Sequence, residues 1–470
     1  MSDKKELVIV GAGPGGYAAA FYAADLGMDV TLIDKEVNPG GVCLYRGCIP
    51  SKALLHVSKL LSEAKEATNW GVDFGKPKID LEKLRTYKES VVNKLTGGTG
   101  QLSKQRKINY IQGTVIYTGS NSLTVTKTDD TAEHIEFSKS ILATGSIPSI
   151  IPGLPNTSKI WDSTDALNLE LIPNKLLVIG GGYIGLELGS VYASLGSKVT
   201  IVEMTKGLLP GADRDLVRVL QRSLESKFES ILLNTKVSEI KDTKSGIKIK
   251  FEGSEETYEE TFDRVLVSVG RRPVTDGLGI DNTGIQISEK GFILTDDKCQ
   301  TNDPSIFAIG DIVGGAMLAH KASAEGKVAV DAILGKKVAF EPNAIPAVVF
   351  TDPELAWAGL NETEAKEKGI KVEVARFPWG ASGRATTIDR NDGLTKLLID
   401  PENERIVGMG LVGAGAGEMI SEGVLAIEMA ALAKDVALSI HPHPTLSETV
   451  MEASEVFFGH STHLYRPKRK

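Results

Sequence analysis

An apolar strand run, a glycine-rich turn and a second strand ending in an acid occur twice in this chain, and the duplication restricts its fold more than any other feature. The first copy runs from Leu7-Val8-Ile9-Val10 through Gly11-Ala12-Gly13-Pro14-Gly15-Gly16 to Val30-Thr31-Leu32-Ile33 and Asp34. The second runs from Leu176-Leu177-Val178-Ile179 through Gly180-Gly181-Gly182-Tyr183-Ile184-Gly185 to Val199-Thr200-Ile201-Val202 and Glu203. In both, the acid lies 23 residues beyond the first glycine. This is the βαβ pattern of a dinucleotide site. Gly11 and Gly180 permit the tight turn, Gly13 and Gly182 let the backbone approach a pyrophosphate, and Gly16 and Gly185 let helix pack on strand. The helix N-terminus offers amide donors to the anion, and Asp34 and Glu203 would take ribose hydroxyls. One such motif is a weak signal; two in matching context predict two dinucleotide sites.

Each copy closes on a similar strand and turn, Ile141-Leu142-Ala143-Thr144-Gly145 in the first and Val265-Leu266-Val267-Ser268-Val269-Gly270 in the second. First to closing glycine spans 134 residues in copy one and 90 in copy two. The longer copy holds a polar, helix-like stretch over residues 51–105 and the segment Gly40-Gly41-Val42-Cys43-Leu44-Tyr45-Arg46-Gly47-Cys48-Ile49-Pro50-Ser51-Lys52, with two of the chain's three cysteines. A regular helix would raise Cys48 about 7.5 Å above Cys43, beyond the roughly 4.4 to 6.8 Å that a disulfide tolerates between Cα atoms. A bridge therefore needs irregular backbone, which the glycines permit, and Pro50 disfavours helical Ile49. So short a disulfide loop adds little stability to so long a chain, and a working dithiol fits better than a staple. Two buried thiols, or half of a zinc site, are the alternatives. Cys299, isolated beside Asp297 and Lys298 with no histidine at ligand spacing, reads as structural, and no metal site is expected.

Beyond copy two, Ser305-Ile306-Phe307-Ala308-Ile309-Gly310-Asp311 reads as a strand presenting Asp311 at its carboxyl end, where α/β folds place ligand contacts. From Ala344 onward the pattern changes to antiparallel strands at 348–350, 396–400 and 406–409 and an alanine-rich helix near 417–433, an α+β domain. A length of 470 residues implies several domains. A net charge of -8 leaves no footprint for nucleic acid, and the basic tail Arg466-Pro467-Lys468-Arg469-Lys470 reads as a solvated end. No apolar run reaches a membrane span, Met1-Ser2-Asp3 leads straight toward a strand, and a cytoplasmic protein without membrane or nucleic-acid partners is expected.

With Gly47-Cys48-Ile49-Pro50-Ser51-Lys52, Gly310-Asp311, Met317-Leu318-Ala319-His320-Lys321 and His441-Pro442-His443-Pro444-Thr445-Leu446-Ser447-Glu448, the chain resembles the pyridine nucleotide-disulfide oxidoreductase family over essentially its whole length. The resemblance implies α/β architecture: two Rossmann-like domains for FAD and NAD and a C-terminal α+β dimerisation domain. It divides the chain into an FAD-binding domain with a redox disulfide (1–150), an NAD-binding domain (151–275), a central segment completing the FAD-binding fold (276–345) and an interface domain (346–470).

By the same resemblance, Cys48 faces the flavin, Cys43 is the interchange thiol, Lys52 lies beside the flavin ring, and Asp311 holds the ribitol. Gly145 and Ala319 belong to the FAD site and Gly270 to the NAD site. Glu187 looks like the acid that pairs with Lys52, or is simply an acid on a helix's first turns. Two prolines keep His443 out of a helix, and Thr445-Leu446-Ser447-Glu448 has capping-box form; Glu448 either caps or, as the family implies, orients His443 as acid-base group. His441 reads as a turn residue.

Glu203 would repel the 2′-phosphate of NADP, so NAD is expected. The C-terminus lacks the vicinal cysteines of mercury-reducing members, and Ile49-Pro50-Ser51-Lys52 stands where glutathione-reducing members read Val-Pro-Lys-Lys. The closest resemblance is to members that oxidise protein-bound dihydrolipoamide. It implies a homodimer with an active site shared between two chains, serving lipoyl-bearing acyltransferase or carrier proteins of a 2-oxo acid dehydrogenase complex or of glycine cleavage. The rivals are an NADH-dependent reductase of another small disulfide and a cofactor-bearing assembly subunit. The chain departs from the usual family text at Val42, Tyr45 and Arg46, where threonine, asparagine and valine are common, and at Asp34, where glutamate is common. Arg46 would favour thiolates if it points inward.

Overall fold

The computed structural model describes residues 4–253 and 257–465, so Met1-Ser2-Asp3 and the basic tail from Arg466 lie outside the described residues. Leu7, Val8 and Ile9 are wholly buried, as a continuous apolar run must be when both faces of a parallel sheet are covered. Their strand, Lys5–Val10, runs parallel between Val30–Asp34 and Ala132–Leu142, and Ile306–Ala308 extends the sheet beyond the latter. The helices Pro14–Asp25 and Ala319–Ile333 pack together on one face, with Gly15 and Gly326 admitting the close approach. The segment after copy two thus returns to the first sheet.

The second sheet repeats the parallel design, with Lys175–Ile179 between Lys198–Val202 and Arg264–Val267. Helix Arg214–Lys227 buries Leu216, Val217, Leu220 and Leu224 along one stripe. A three-stranded antiparallel sheet, Lys236–Thr243, Gly246–Glu252 and Thr257–Phe262, covers the opposite face with Ile247, Ile249 and Phe251. Where the two copies close, Ser146–Pro148 pairs antiparallel with Arg271–Pro273, so the carboxyl ends of the two sheets meet.

The C-terminal residues form a five-stranded antiparallel sheet in the order Ala347–Val349, Glu354–Gly359, Ile406–Gly413, Leu394–Ile399, Glu373–Pro378, packed with helices Ala416–Glu428 and Glu448–Phe457. The expected helix over 417–433 is split: it ends at Glu428, Ala430 turns to φ 52°, and a short helix starts at Ala433. The break lets Ile406 N–H reach Ala431 O, a strand contact that outweighs alanine's helix preference.

Lys396 clasps this domain to the second. Its side chain is wholly buried among Asp213, Asp215 and Glu362, with Nζ 2.7 Å from Asp213 Oδ2 and 2.9 Å from Asp215 Oδ1. Arg376 closes the network on Asp215 and Glu362. These acids are the one grouping with metal-ligand spacing among the described residues, and a cation of the chain's own stands among them. Lys396→Met leaves Asp213 without its cation and Asp215 and Glu362 with Arg376 alone, and is expected to cost about 3 kcal/mol, read as an earlier unfolding transition in urea. An unshifted transition would show that the network holds nothing together.

Candidate active site

A cavity of about 550 Å³ runs from the carboxyl end of the first sheet to the contact between the two nucleotide domains. Gly11, Gly13, Asp34, Cys43, Cys48, Lys52, Gly145, Glu187, Asp311 and Ala319 all line it. Gly11 takes φ 97° and its twin Gly180 φ 111°; a Cβ would fall 2.3 Å from Ala143 O at the first and 2.5 Å from Ser268 O at the second. Gly16 lies behind the cavity wall, packed on Gly11 O, as Gly185 packs on Gly180 O. Asp34 and Glu203 each turn back onto their own glycine loop, accepting from Ala12 N–H at 2.6 Å and Gly181 N–H at 2.8 Å. Gly180, Gly182, Gly185, Glu203 and Gly270 lie outside this cavity's lining, at the carboxyl end of the second sheet.

The dithiol geometry depends on one residue. Helix Gly41–Arg46 stops at Gly47, whose φ -140° and ψ -114° break the spiral before a new helix, Cys48–Glu66, begins. A Cβ at Gly47 would sit 2.9 Å from Val42 O, so the bend needs glycine. Contrary to the sequence expectation, Ile49 is helical: Pro50 stands in the first turn, where no N–H partner is required. The two cysteines are free thiols in hydrogen-bond contact. The Cys43 hydrogen bond holds Cys48, exposed at the cavity, well below the ordinary thiol range with help from the Lys52 charge and against desolvation by its neighbours, and the same contact together with desolvation pushes Cys43 up. This contact favours the proton on Cys43 and the negative charge on Cys48.

Lys52 Nζ donates to Glu187 Oε2 at 2.8 Å, and Glu187, 3% exposed, accepts the Phe350 N–H through Oε1 at 2.9 Å. The Phe350 ring centroid lies 4.6 Å from Lys52 Nζ. This pairing exceeds what an acid on a helix's first turns would need. Asp311, in the turn Gly310–Val313, accepts from Ser146 Oγ, which accepts in turn from Arg271 Nε at 2.7 Å. Ser146, Arg271 and Phe350 were not singled out from sequence, although Arg271 follows the closing glycine of copy two as Ser146 follows that of copy one. Ala319 opens the helix Ala319–Ile333, whose buried Lys321 and Glu325 are paired, Glu325 accepting the Gly310 N–H at 2.7 Å.

Arg46 does not turn to the thiols; its guanidinium pairs with Glu36. Cys299 is buried at φ 63° with its thiol pushed up to about 12 by burial, an inert position. His441 is more than a turn residue: its ring, 8% exposed, meets Glu422 Oε1 at 2.8 Å and Ser439 O at 2.8 Å. Glu448 accepts from Thr445 N–H at 2.8 Å with one oxygen and meets His443 Nδ1 at 2.9 Å with the other, at the start of a helix, Glu448–Phe457, whose N-cap is Ser447. Burial would raise its carboxyl, but these two contacts together hold it below the ordinary range. Within one chain His443 does not line the dithiol cavity, and its side chain is 72% exposed.

The residues fit two dinucleotides. At Gly145 in the cavity wall, and at Gly182 on the second helix N-terminus, a Cβ would meet nothing within 4 Å, leaving bare backbone beside donors suited to a phosphate. Among the described residues no helix is long and apolar enough to cross a membrane.

Residues 5–326 match the family described as pyridine nucleotide-disulphide oxidoreductase, and residues 345–454 match its dimerisation domain. The dihydrolipoyl dehydrogenase of Vibrio cholerae serotype O1 is 48% identical over 469 residues, 99% of this chain and 98% of that one. That of Geobacillus stearothermophilus is 45% identical over 98% of this chain and 97% of its own length. Among solved structures, LpdA from Mycobacterium tuberculosis superposes with a TM-score of 0.89 at 25% identity, covering 96% of this chain and 99% of that one. A Cu(II) complex of the HOCl-induced flavoprotein disulfide reductase RclA from Escherichia coli gives 0.83 at 28%, covering 95% and 98%.

Proposed function

This chain belongs to the pyridine nucleotide-disulphide oxidoreductase family, and from that premise we infer that it is a dihydrolipoamide dehydrogenase: it oxidises dihydrolipoamide to lipoamide and reduces NAD, with FAD as bound cofactor. The observation that carries the reading is the dithiol, Cys43 and Cys48, opening on the same cavity as the Gly11 turn and Asp34. We divide the chain as the sequence suggested, with FAD bound by 1–150 and 276–345, NAD by 151–275, and the dimer contact in 346–470. Two copies form the enzyme.

In the cycle we propose, His443, oriented by Glu448, removes a proton from one substrate thiol. The thiolate attacks Sγ of Cys43 in a Cys43-Cys48 disulfide; that bond breaks, a mixed disulfide forms, and Cys48 leaves as thiolate. The second substrate thiol attacks the substrate sulfur of the mixed disulfide, releasing lipoamide and Cys43; Cys43 takes the proton that His443 holds, and His443 takes the proton that the second thiol gives up. The reduced pair then holds its charge where the surroundings favour it, with Cys48 lowered and Cys43 raised from the ordinary thiol range. Lys52, fixed by Glu187, stabilises that charge and places an ammonium at the cavity wall. Bound FAD supplies a two-electron acceptor for the dithiol and NAD the final one. The Gly11 loop, Asp34, Gly145, Asp311 and Ala319 hold the first dinucleotide, and the Gly180 loop, Glu203 and Gly270 the second.

The partners under this reading are lipoyl-bearing acyltransferase or carrier chains of a 2-oxo acid dehydrogenase complex or of glycine cleavage, in the cytoplasm. The test is an anaerobic titration of the purified protein with dihydrolipoamide and then NAD, followed by visible absorbance. A change in the visible flavin spectrum on adding dihydrolipoamide, reversed by NAD, is expected; a spectrum that dihydrolipoamide leaves unchanged would overturn the reading. Cofactor choice gives a narrower test. Glu203, accepting from Gly181 and Thr205 N–H groups, presents a carboxylate that repels an added 2′-phosphate. Turnover with NADP is expected to be at least about a hundredfold poorer than with NAD, and Glu203→Arg to narrow the gap. Equal use of both nucleotides by the wild type would remove Glu203 from this role.

A further inference from the structure

The positions where the chain departs from the usual family text, Asp34, Tyr45 and Arg46, converge on one short stretch of backbone. Asp34, a methylene shorter than the common glutamate, spends both oxygens locally: Oδ2 on Ala12 N–H at 2.6 Å and Oδ1 on Glu36 N–H at 2.9 Å. Residues 36–38, which follow it, are tied to the redox helix Gly41–Arg46 by that helix's last two residues. Arg46 pairs with the Glu36 carboxylate, and Tyr45 Oη accepts from Asn38 N–H at 3.2 Å while donating to Asn38 O at 3.1 Å. From the other side Tyr110 Oη donates to Glu36 O at 2.8 Å. Glu36 and Arg46 both line the dinucleotide cavity, with side chains 21% and 29% exposed.

The common residues build neither tie. A valine at 46 leaves the Glu36 carboxylate unpaired in a cavity that takes a pyrophosphate, where it repels the ligand; an asparagine at 45 is too short to bridge to residue 38 as tyrosine does. Val42 stands one helical turn before Arg46 and also lines the cavity, so on this face of the helix Arg46 supplies the cation and Val42 an apolar neighbour. The cation acting on the two sulfurs is Lys52.

We propose that Tyr45 and Arg46 form a strap that locks residues 36–38 to the redox helix at the FAD site, and that the strap governs how long the protein keeps its flavin, not how its thiols react. They are positioning residues. The proposal rests on the FAD reading above. It predicts that Arg46→Val in the intact holoenzyme releases FAD about tenfold faster, followed as the rise in flavin fluorescence after dilution into flavin-free buffer. Tyr45→Asn has a smaller effect in the same direction. Glu36→Gln added to Arg46→Val recovers part of the loss by removing the repelling charge, and the exchanged pair Glu36→Arg with Arg46→Glu recovers more by restoring the bridge. In all of these the ultraviolet thiolate titration of the reduced protein keeps the wild-type midpoint.

Unchanged release in Arg46→Val and Tyr45→Asn overturns the strap, as does an exchanged pair that releases FAD as fast as Arg46→Val. A thiolate midpoint that rises in Arg46→Val overturns it too, because Arg46 would then act on Cys48. A wild type that takes up no flavin sinks the functional reading itself; a wild type that holds flavin no longer than Arg46→Val sinks the strap alone.

Discussion

Cys48→Ser is expected to lower dihydrolipoamide oxidation about ten-thousandfold or more, and to remove the low-pH thiolate from the reduced protein. Both effects follow from one geometry. Gly47 ends the first helix and starts the second, so Cys43 and Cys48 come within hydrogen-bond contact instead of standing more than a turn apart. Cys48 then has a donor in Cys43 and a cation in Lys52, which outweigh the desolvation that disfavours its charge. Its pKa is lowered, so its thiolate survives as pH falls through the ordinary thiol range and protonates only below it. Cys43 titrates the other way and stays protonated above that range.

Ultraviolet absorbance of the reduced protein should therefore show one thiolate with a midpoint well below that of a free cysteine. Cys43→Ala removes the principal donor and should move that midpoint up, whereas Cys43→Ser, which keeps a hydroxyl donor, should move it less. Lys52→Met should also raise it, by less than Cys43→Ala, because the charge ranks below the hydrogen bond among the causes. A low-pH thiolate that persists in Cys48→Ser and vanishes in Cys43→Ser would reverse the assignment of the two sulfurs.

The nucleotide strands were legible because their signal is local: Leu7 to Val10 and Leu176 to Ile179 are buried on both faces and read as apolar runs. Family motifs carried the reading to Lys52, Asp311 and His443. Contacts between distant segments were not legible. Ser146 meets Asp311 165 residues away, and Arg271 meets Ser146 125 residues away, each in a stretch whose own pattern speaks only of strand and turn. Lys396 looks like the polar residue of an alternating strand, yet it is wholly buried because Asp213, Asp215 and Glu362 arrive from two other elements. Ile49 was misjudged for a related reason: the rule against helix before proline weakens in a first turn, and only the position of Gly47 determines where that turn falls.

His443→Gln is expected to slow turnover a hundred- to ten-thousandfold, the roughly usual worth of a positioned acid-base group, and to do so in a way that reveals which chain its partner thiols belong to. Its ring is held by Glu448 at 2.9 Å but stands 72% exposed, away from the cavity that its own chain's Cys43 and Cys48 line. Nearby, Leu438 is 70% and Ile440 99% exposed, apolar side chains on a region that matches a dimerisation domain. A two-fold dimer that buries them would let each chain's His443 serve the other's dithiol. Neither Cys48→Ser nor His443→Gln homodimers should turn over. When they exchange subunits freely, half the dimers are mixed, and each mixed dimer holds one site with both defects and one with none. About a quarter of wild-type activity should return. If each site lay within a single chain, every site in a mixed dimer would carry one defect, and nothing would return. Exchange confirmed by mass, with no recovered turnover, therefore refutes the shared site.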